Sequence, residues 1–298
     1  MSYDFETITY GKWILAGEHA VLRGNPALVF PLKNKPLTLQ YKKSNTPLKL
    51  NYKGESALTC EPSILALLEA AFTALSLDKK QINGELFIQN QVPIGTGLGA
   101  SAALCVAITR LLKAIFSPDI NIFEFAQSLE NMFHGQSSGL DIAGSAAESQ
   151  AVYFKSGHIT PVTPTWTPHW CLSFSGTPSI TSVCIEQVQT LRKKNQHAAN
   201  QIDEQMARSV KNAHEALTEK NTPTQTKANI NPFNKLTDAI QDASDCFNQW
   251  GLINQPLQAH MNALYEQGAL AVKPTGSGNG GYVLSLWDKI PKYQPNIL

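Results

Sequence analysis

Three glycines alternate with other residues in Val92-Pro93-Ile94-Gly95-Thr96-Gly97-Leu98-Gly99-Ala100-Ser101-Ala102-Ala103, and this stretch constrains the rest of the chain more than any other. Such a loop can bring several backbone N–H groups to one point. The small-residue, then apolar, helical segment behind it adds the positive end of a helix dipole. Together these hold phosphate. A tight turn before a buried helix is the structural alternative, but a turn needs fewer glycines. Ser101, at the start of the helical segment, offers a hydroxyl where a metal–phosphate would sit. The chain contains no Gly-x-x-x-x-Gly-Lys followed by Ser or Thr, so the loop is not a Walker A motif.

With 298 residues the chain has room for one large domain or two ordinary ones. A formal net charge of +1 gives no reason to expect a polyanion, so nucleic acid is not an expected partner. The five cysteines (Cys60, Cys105, Cys171, Cys184, Cys246) are dispersed, with no Cys-x-x-Cys pair, which points to reduced thiols rather than disulfides or a zinc site. The first residues lack a signal-peptide pattern, and the apolar runs fall well short of the roughly 20 residues of a membrane span. A cytoplasmic protein with no membrane partner is the expectation.

Read in order, the chain alternates strand and helix signals. Tyr10–Ala16, Ala27–Phe30 and Glu85–Val92 read as strands, with a Gly24-Asn25-Pro26 turn between the first two. Residues 37–50 read as solvent-facing antiparallel strands broken by Pro47. Ile64, Leu67, Leu68, Ala71, Phe72 and Leu75 recur at helical spacing behind Ser63 as N-cap. Ala102–Phe116 is apolar nearly all round, the signature of a buried helix. Asn121 and Glu124 resemble a capping box for a helix whose stripe is Ile122, Phe125, Ala126, Leu129 and Phe133. Residues 179–220 read as long, polar and helical, followed by a polar loop over 221–232. Helices are expected around Leu236–Trp250 and Pro256–Gln267, and strands at Ala269–Val272 and Tyr282–Trp287. Prolines 161, 164 and 168 suggest a boundary, giving domains 1–160 and 161–298 in an α+β protein.

Three charged residues stand out. Lys12 lies in an otherwise apolar strand, facing either outward or into a site, where it would stabilise developing charge. Glu130 is either a solvated helix residue or an oxygen ligand for Mg²⁺ beside phosphates. Asp141, after Ser-Ser-Gly, is either a helix cap or a carboxylate aimed at a substrate hydroxyl. Two motif matches are accidental. Gly135-Gln136-Ser137-Ser138-Gly139 fits Gly-x-Ser-x-Gly, but a helix precedes it where a nucleophile elbow needs a strand. Gly276-Ser277-Gly278-Asn279-Gly280-Gly281 fits Gly-x-Gly-x-x-Gly, but a strand follows where a dinucleotide site needs a helix. It reads instead as a hairpin-like turn closing against the first glycine loop.

Taken together, the motifs resemble the GHMP kinases. Gly11-Lys12-Trp13-Ile14-Leu15-Ala16-Gly17-Glu18-His19-Ala20-Val21-Leu22, the loop Pro93–Ala103 and Lys273-Pro274-Thr275-Gly276-Ser277-Gly278 stand in the family's order. Between the last two, Glu130 through His134-Gly135 to Ser138-Gly139-Leu140-Asp141 is similar to its catalytic segment. Within the family the first motif is most similar to the mevalonate kinases. The chain departs from the pattern in lacking a proline before Gly11, in Ala100 for the first of two serines, in Asn279 within the glycine run, and in Asp141-Ile142-Ala143, which is closer to some phosphomevalonate kinases.

The resemblance implies an N-terminal domain like ribosomal protein S5 domain 2, a ferredoxin-like C-terminal domain, and ATP held between them. It implies that Pro93, Gly95, Thr96, Gly97, Leu98, Gly99, Ala100 and Ser101 bind the nucleotide, and that Ser101 and Glu130 hold Mg²⁺. Asp141 would act on the acceptor hydroxyl as base or orienting group, with Lys12 lowering that hydroxyl's pKa. Glu18, His19, Gly276, Ser277 and Gly278 would lie on the acceptor side. Mevalonate is the implied acceptor, with phosphomevalonate, a sugar or another metabolite as the alternative and a non-catalytic binder less favoured. A homodimer is compatible with the resemblance.

Overall fold

The structure, a computed structural model, describes residues 2–54, 57–135, 137–219, 231–289 and 291. The polar stretch 221–230, Gln136, and the side chains of Phe133 and His134 lie outside the described residues. The chain divides into two compact units. One comprises Met1–Lys12, Pro31–Ile94 and Leu98–Ala146, the other Trp13–Phe30, Gly95–Gly97 and Ala147–Leu298.

In the first unit the chain enters through β1 (Phe5–Ala16) and continues along β2 (Ala27–Pro47), both of which also contribute residues to the second unit. β3 (Lys49–Lys53), α1 (Ala57–Ala74), β4 (Asn83–Asn90), α2 (Ala100–Phe116), α3 (Ile122–His134) and α4 (Leu140–Ala146) follow. β2 pairs antiparallel with β4 from Leu37 opposite Asn90 to Lys43 opposite Gly84. β3 corrects the antiparallel expectation: it runs parallel to β4, Lys49 opposite Glu85 through Lys53 opposite Gln89. Pro47, with no N–H to continue the ladder, sits opposite Asn83 at the start of β4, and the chain rounds that end to reach β4's other edge.

α2 is the axis of this unit. Its Val106, Ile108, Leu111 and Leu112 are fully buried among Ile64, Leu67 and Phe72 of α1, Leu39 of β2, Leu86 and Ile88 of β4, Leu129 of α3 and Ile142 of α4. Each such side chain removed from water stabilises the fold by about 1.5–3 kcal/mol. α1 begins at Ala57, so Ser63 is not its cap, and Pro62 lies inside the helix. A proline inside a helix deletes an i→i−4 bond. The buried face of Ile64, Leu67, Leu68, Ala71 and Phe72 holds the helix across that gap. Asn121 caps α3 as its sequence indicates, accepting the N–H groups of Phe123 and Glu124.

The second unit adds β5 (Ala151–Lys155), β6 (His158–Val162), β7 (His169–Phe174), α5 (Thr181–Lys194), α6 (Gln196–Thr218), α7 (Pro232–Gln249), α8 (Gln255–Glu266), β8 (Ala271–Thr275) and β9 (Tyr282–Trp287). β7, β9 and β8 form an antiparallel sheet in that order. α8 packs Leu257, Met261 and Leu264 against its Cys171, Val272, Val283 and Trp287. The polar helical stretch from 179 is two helices, not one. Asn195 ends α5 in an extended conformation and caps α6 by accepting the Ala198 N–H at 3.0 Å. α6 and α7 pair along buried faces, and Ser209 Oγ donates to the Ala239 carbonyl at 2.6 Å. Trp13, Phe30 and Trp170 form a buried aromatic cluster, the first two stacked at 4.3 Å. No helix among the described residues is long and apolar enough to cross a membrane.

Candidate active site

In the first unit the structure brings Lys12, Glu130 and Asp141 together. Lys12 faces inward from β1 and is 2% exposed, which settles its orientation. Its N–H donates to the Leu98 carbonyl at 2.8 Å, tying the strand to the glycine loop. Its Nζ meets Asp141 Oδ1 at 2.9 Å. Asp141 is in the first turn of α4 rather than at its cap, because the helix already begins at Leu140, whose N–H goes to Ser138 Oγ. The Asp141 side chain remains 35% exposed, so one end of the pair is open to a ligand.

Gly99 makes room for this arrangement. It occupies the left-handed region at φ 80°, and a Cβ there would lie 2.8 Å from Lys12 Cγ, so only glycine lets the lysine stem pass. Gly95 and Gly97 are also left-handed, at φ 71° and 82°, and are exposed. Gly99 offers α2 no side-chain cap, and the positive end of the helix dipole lies at this start, where an anion is favoured. Pro93 and Thr96 are half-buried and Leu98 is buried.

Glu130 is buried on α3, and its Oε2 accepts the Ser137 hydroxyl at 2.5 Å. Burial, reinforced by the charge of Asp141, pushes its carboxyl up to about 7 against the opposing pull of Ser137 and Lys12. A carboxyl raised in the folded state contributes stability that is fully present below about 4.5 and is lost as pH rises through about 7. Thermal unfolding of the nucleotide-free protein across that range is therefore expected to show a decline with pH that Glu130→Gln removes. An unchanged decline in the variant would assign it elsewhere.

The second unit holds the other predicted residues. Glu18 and His19 are buried at the turn after β1. Burial pushes His19 down to about 4, so its ring is neutral at physiological pH. Nε2 then carries the proton and donates to the Ser277 carbonyl at 2.9 Å. The ring also sits edge-on to Trp250 at 5.3 Å. Ser277 Oγ lies 2.6 Å from Ser179 Oγ, and Gly276 and Gly278 take the left-handed conformations that turn β8 into β9. This hairpin turn meets the first glycine loop as its sequence suggests: a Cβ on Gly281 would lie 3.3 Å from the Thr96 carbonyl.

Two partners here were not singled out by sequence. Lys273, fully buried, donates to Glu18 Oε1 at 2.5 Å and to the carbonyls of Pro274 and Ile14, and its ammonium lies 5.2 Å from the Phe247 ring centre. Asp203 binds Arg23, with Arg192 a second partner at 3.3 Å. A lysine within an apolar strand, flanked by Val272 and Pro274, was the available signal for the first. The second pairs residues 180 apart in sequence and left no local signature.

Among the described residues no group of three or more His, Cys, Asp or Glu is arranged to hold a metal ion by itself. Glu130 and Ser101 each offer oxygen, the donor Mg²⁺ prefers, and a buried carboxylate would gain a compensating charge from a cation.

Residues 63–149 match the family model described as GHMP kinases N terminal domain. The mevalonate kinase of Pyrococcus horikoshii is 25% identical over 297 residues, covering 92% of this chain and 86% of that protein. The crystal structure of L. major mevalonate kinase in complex with R-mevalonate aligns with a TM-score of 0.77 at 20% identity, over 96% of this chain and 87% of that one. The Streptococcus pneumoniae phosphomevalonate kinase aligns with a TM-score of 0.71 at 18% identity, over 97% of this chain and 92% of that one.

Proposed function

We propose that this chain is a GHMP-family kinase that uses ATP and phosphorylates the 5-hydroxyl of mevalonate. The observation that carries the chemistry is the Lys12–Asp141 pair, buried at its lysine end and open at its carboxylate end. Phosphoryl transfer asks little covalent chemistry of a protein and much positioning and charge stabilisation. Gly99 and the first turn of α2 would meet the phosphates. Asp141 receives the acceptor hydroxyl, removing or orienting its proton, while Lys12 holds that carboxylate in place and offsets the negative charge that develops. Ser101 and Glu130 would hold Mg²⁺, which neutralises phosphate charge when bound. The 276–278 turn would contact the acceptor, while Glu18, buried against Lys273, and His19, a neutral ring held on the Ser277 carbonyl, would brace that turn from within the second unit.

Mevalonate is preferred because the motif at Gly17-Glu18-His19-Ala20-Val21 resembles mevalonate kinases and because the relative of that name matches along nearly the whole chain. Phosphomevalonate is the second reading, favoured by Asp141-Ile142-Ala143. An ADP-release assay with mevalonate, phosphomevalonate and galactose distinguishes them. Mevalonate is expected to turn over at least about tenfold faster than the others, a preference of only about 1.4 kcal/mol in transition-state binding. Faster turnover of phosphomevalonate or galactose would overturn the acceptor assignment, and ADP release with none of them would favour a binding protein.

A further inference from the structure

The serine that mimics a hydrolase elbow has another use. All three polar atoms of Ser137 are engaged by one face of α3. Its N–H donates to Asn131 Oδ1 at 2.7 Å, its carbonyl accepts from Gln127 Nε2 at 3.0 Å, and its hydroxyl donates to Glu130 Oε2 at 2.5 Å. Residues 127, 130 and 131 are spaced by three and four, so they lie side by side on the helix. The same hydroxyl accepts the Gly139 N–H at 3.1 Å. A hydroxyl has one proton, and with a lone pair committed to Gly139 that proton is directed at Glu130.

Gly139 is pinned to the same helix. It is left-handed at φ 82°, and a Cβ there would lie 2.6 Å from Phe123 Cζ and 3.1 Å from Gln127 Nε2. Residues 137–139 are thus clamped on α3 immediately before the turn of α4 that carries Asp141.

We propose that Ser137 is a positioning residue: it takes one oxygen of Glu130, fixes the carboxylate plane, and leaves the other oxygen to meet the nucleotide's divalent cation. This rests on the reading of Glu130 as the metal-side carboxylate. An alanine at 137 leaves the backbone contacts in place but frees the carboxylate to rotate. Cysteine, nearly the same shape but a weak donor, does the same with less change in packing.

The test is a Mg²⁺ titration of kinase activity at fixed ATP in Ser137→Ala, Ser137→Cys and Glu130→Gln, paired with Mn²⁺ binding by electron paramagnetic resonance in the presence of a non-hydrolysable ATP analogue. Loss of a residue that orients a metal ligand typically weakens metal affinity about 10–100-fold. Both Ser137 variants are therefore expected to need about tenfold more Mg²⁺ for half-maximal activity and to bind Mn²⁺ about tenfold more weakly, with kcat at saturating Mg²⁺ within about threefold of the parent. Curves that overlay the parent's while Glu130→Gln is displaced would overturn the role of Ser137 and leave the reading of Glu130 standing. A Glu130→Gln curve that does not move would remove the reading of Glu130, and the role of Ser137 with it.

Discussion

Asp141→Asn is expected to lower turnover by at least about 10²-fold, the usual cost of losing a group that handles a proton in the transition state. The substitution keeps the shape of the side chain and removes only its charge and basicity. Asp141 sits in α4 with its side chain 35% exposed, but the change takes the counter-charge from Lys12, which is 3% exposed, so some loss of stability accompanies the loss of turnover. Nucleotide affinity is expected to stay within about threefold, because the residues proposed to meet phosphate do not include Asp141. Steady-state kinetics and nucleotide binding on the same preparation check both halves. A variant that keeps more than about a tenth of its activity would leave Asp141 no role as a base. The change also removes the negative charge that helps keep Glu130 protonated, so the pH-dependent decline in stability is expected to move toward lower pH.

The second large effect is on stability and arises in the other unit. Lys273→Met is expected to destabilise the protein by about 3–5 kcal/mol, the penalty for removing one partner of a buried ion pair. Neither side chain has a route to water: Lys273 is 0% and Glu18 2% exposed. Methionine fills the lysine's volume, so the loss isolates the uncompensated Glu18 carboxylate and the Pro274 and Ile14 carbonyls that the ammonium served. Adding Glu18→Gln removes the stranded charge and is expected to recover a substantial part of the loss. Denaturant unfolding of parent, single and double variants measures this, and a single variant within about 1 kcal/mol of the parent would show that the pair is dispensable.

These residues also show what the sequence made legible. The glycine loop, the all-apolar α2, the capping Asn121 and the strand after the 276–281 turn depend on neighbours within a few residues, and local chemistry announced them. The cluster of Lys12, Glu130 and Asp141 was legible only as three separately ambiguous residues. Lys12 and Asp141 are 129 positions apart, and their meeting depends on how β1 and α4 pack. The parallel course of β3 escaped notice because strand direction is set by which edge of β4 is reached, and alternation of side chains is the same either way. The break at Asn195 was masked because a polar residue between two polar helices looks like more helix. Lys273 was visible as a motif letter, but its partner was not, since a buried charge shows its purpose only when the opposing charge is seen beside it.

The contact between Gly99 and Lys12 bears on how this fold changes over generations. One methyl group at position 99 would strike the lysine stem and strain a left-handed turn, without changing the identity of any other loop glycine or charged residue. A lineage under selection to keep ligand recognition but abandon turnover could take that step through one codon. Descendants would then carry Lys12, Glu130 and Asp141 unaltered in sequence, and an inventory of those three residues would still score them as enzymes. On the proposed mechanism, glycine at 99 is thus as telling as the charged residues themselves.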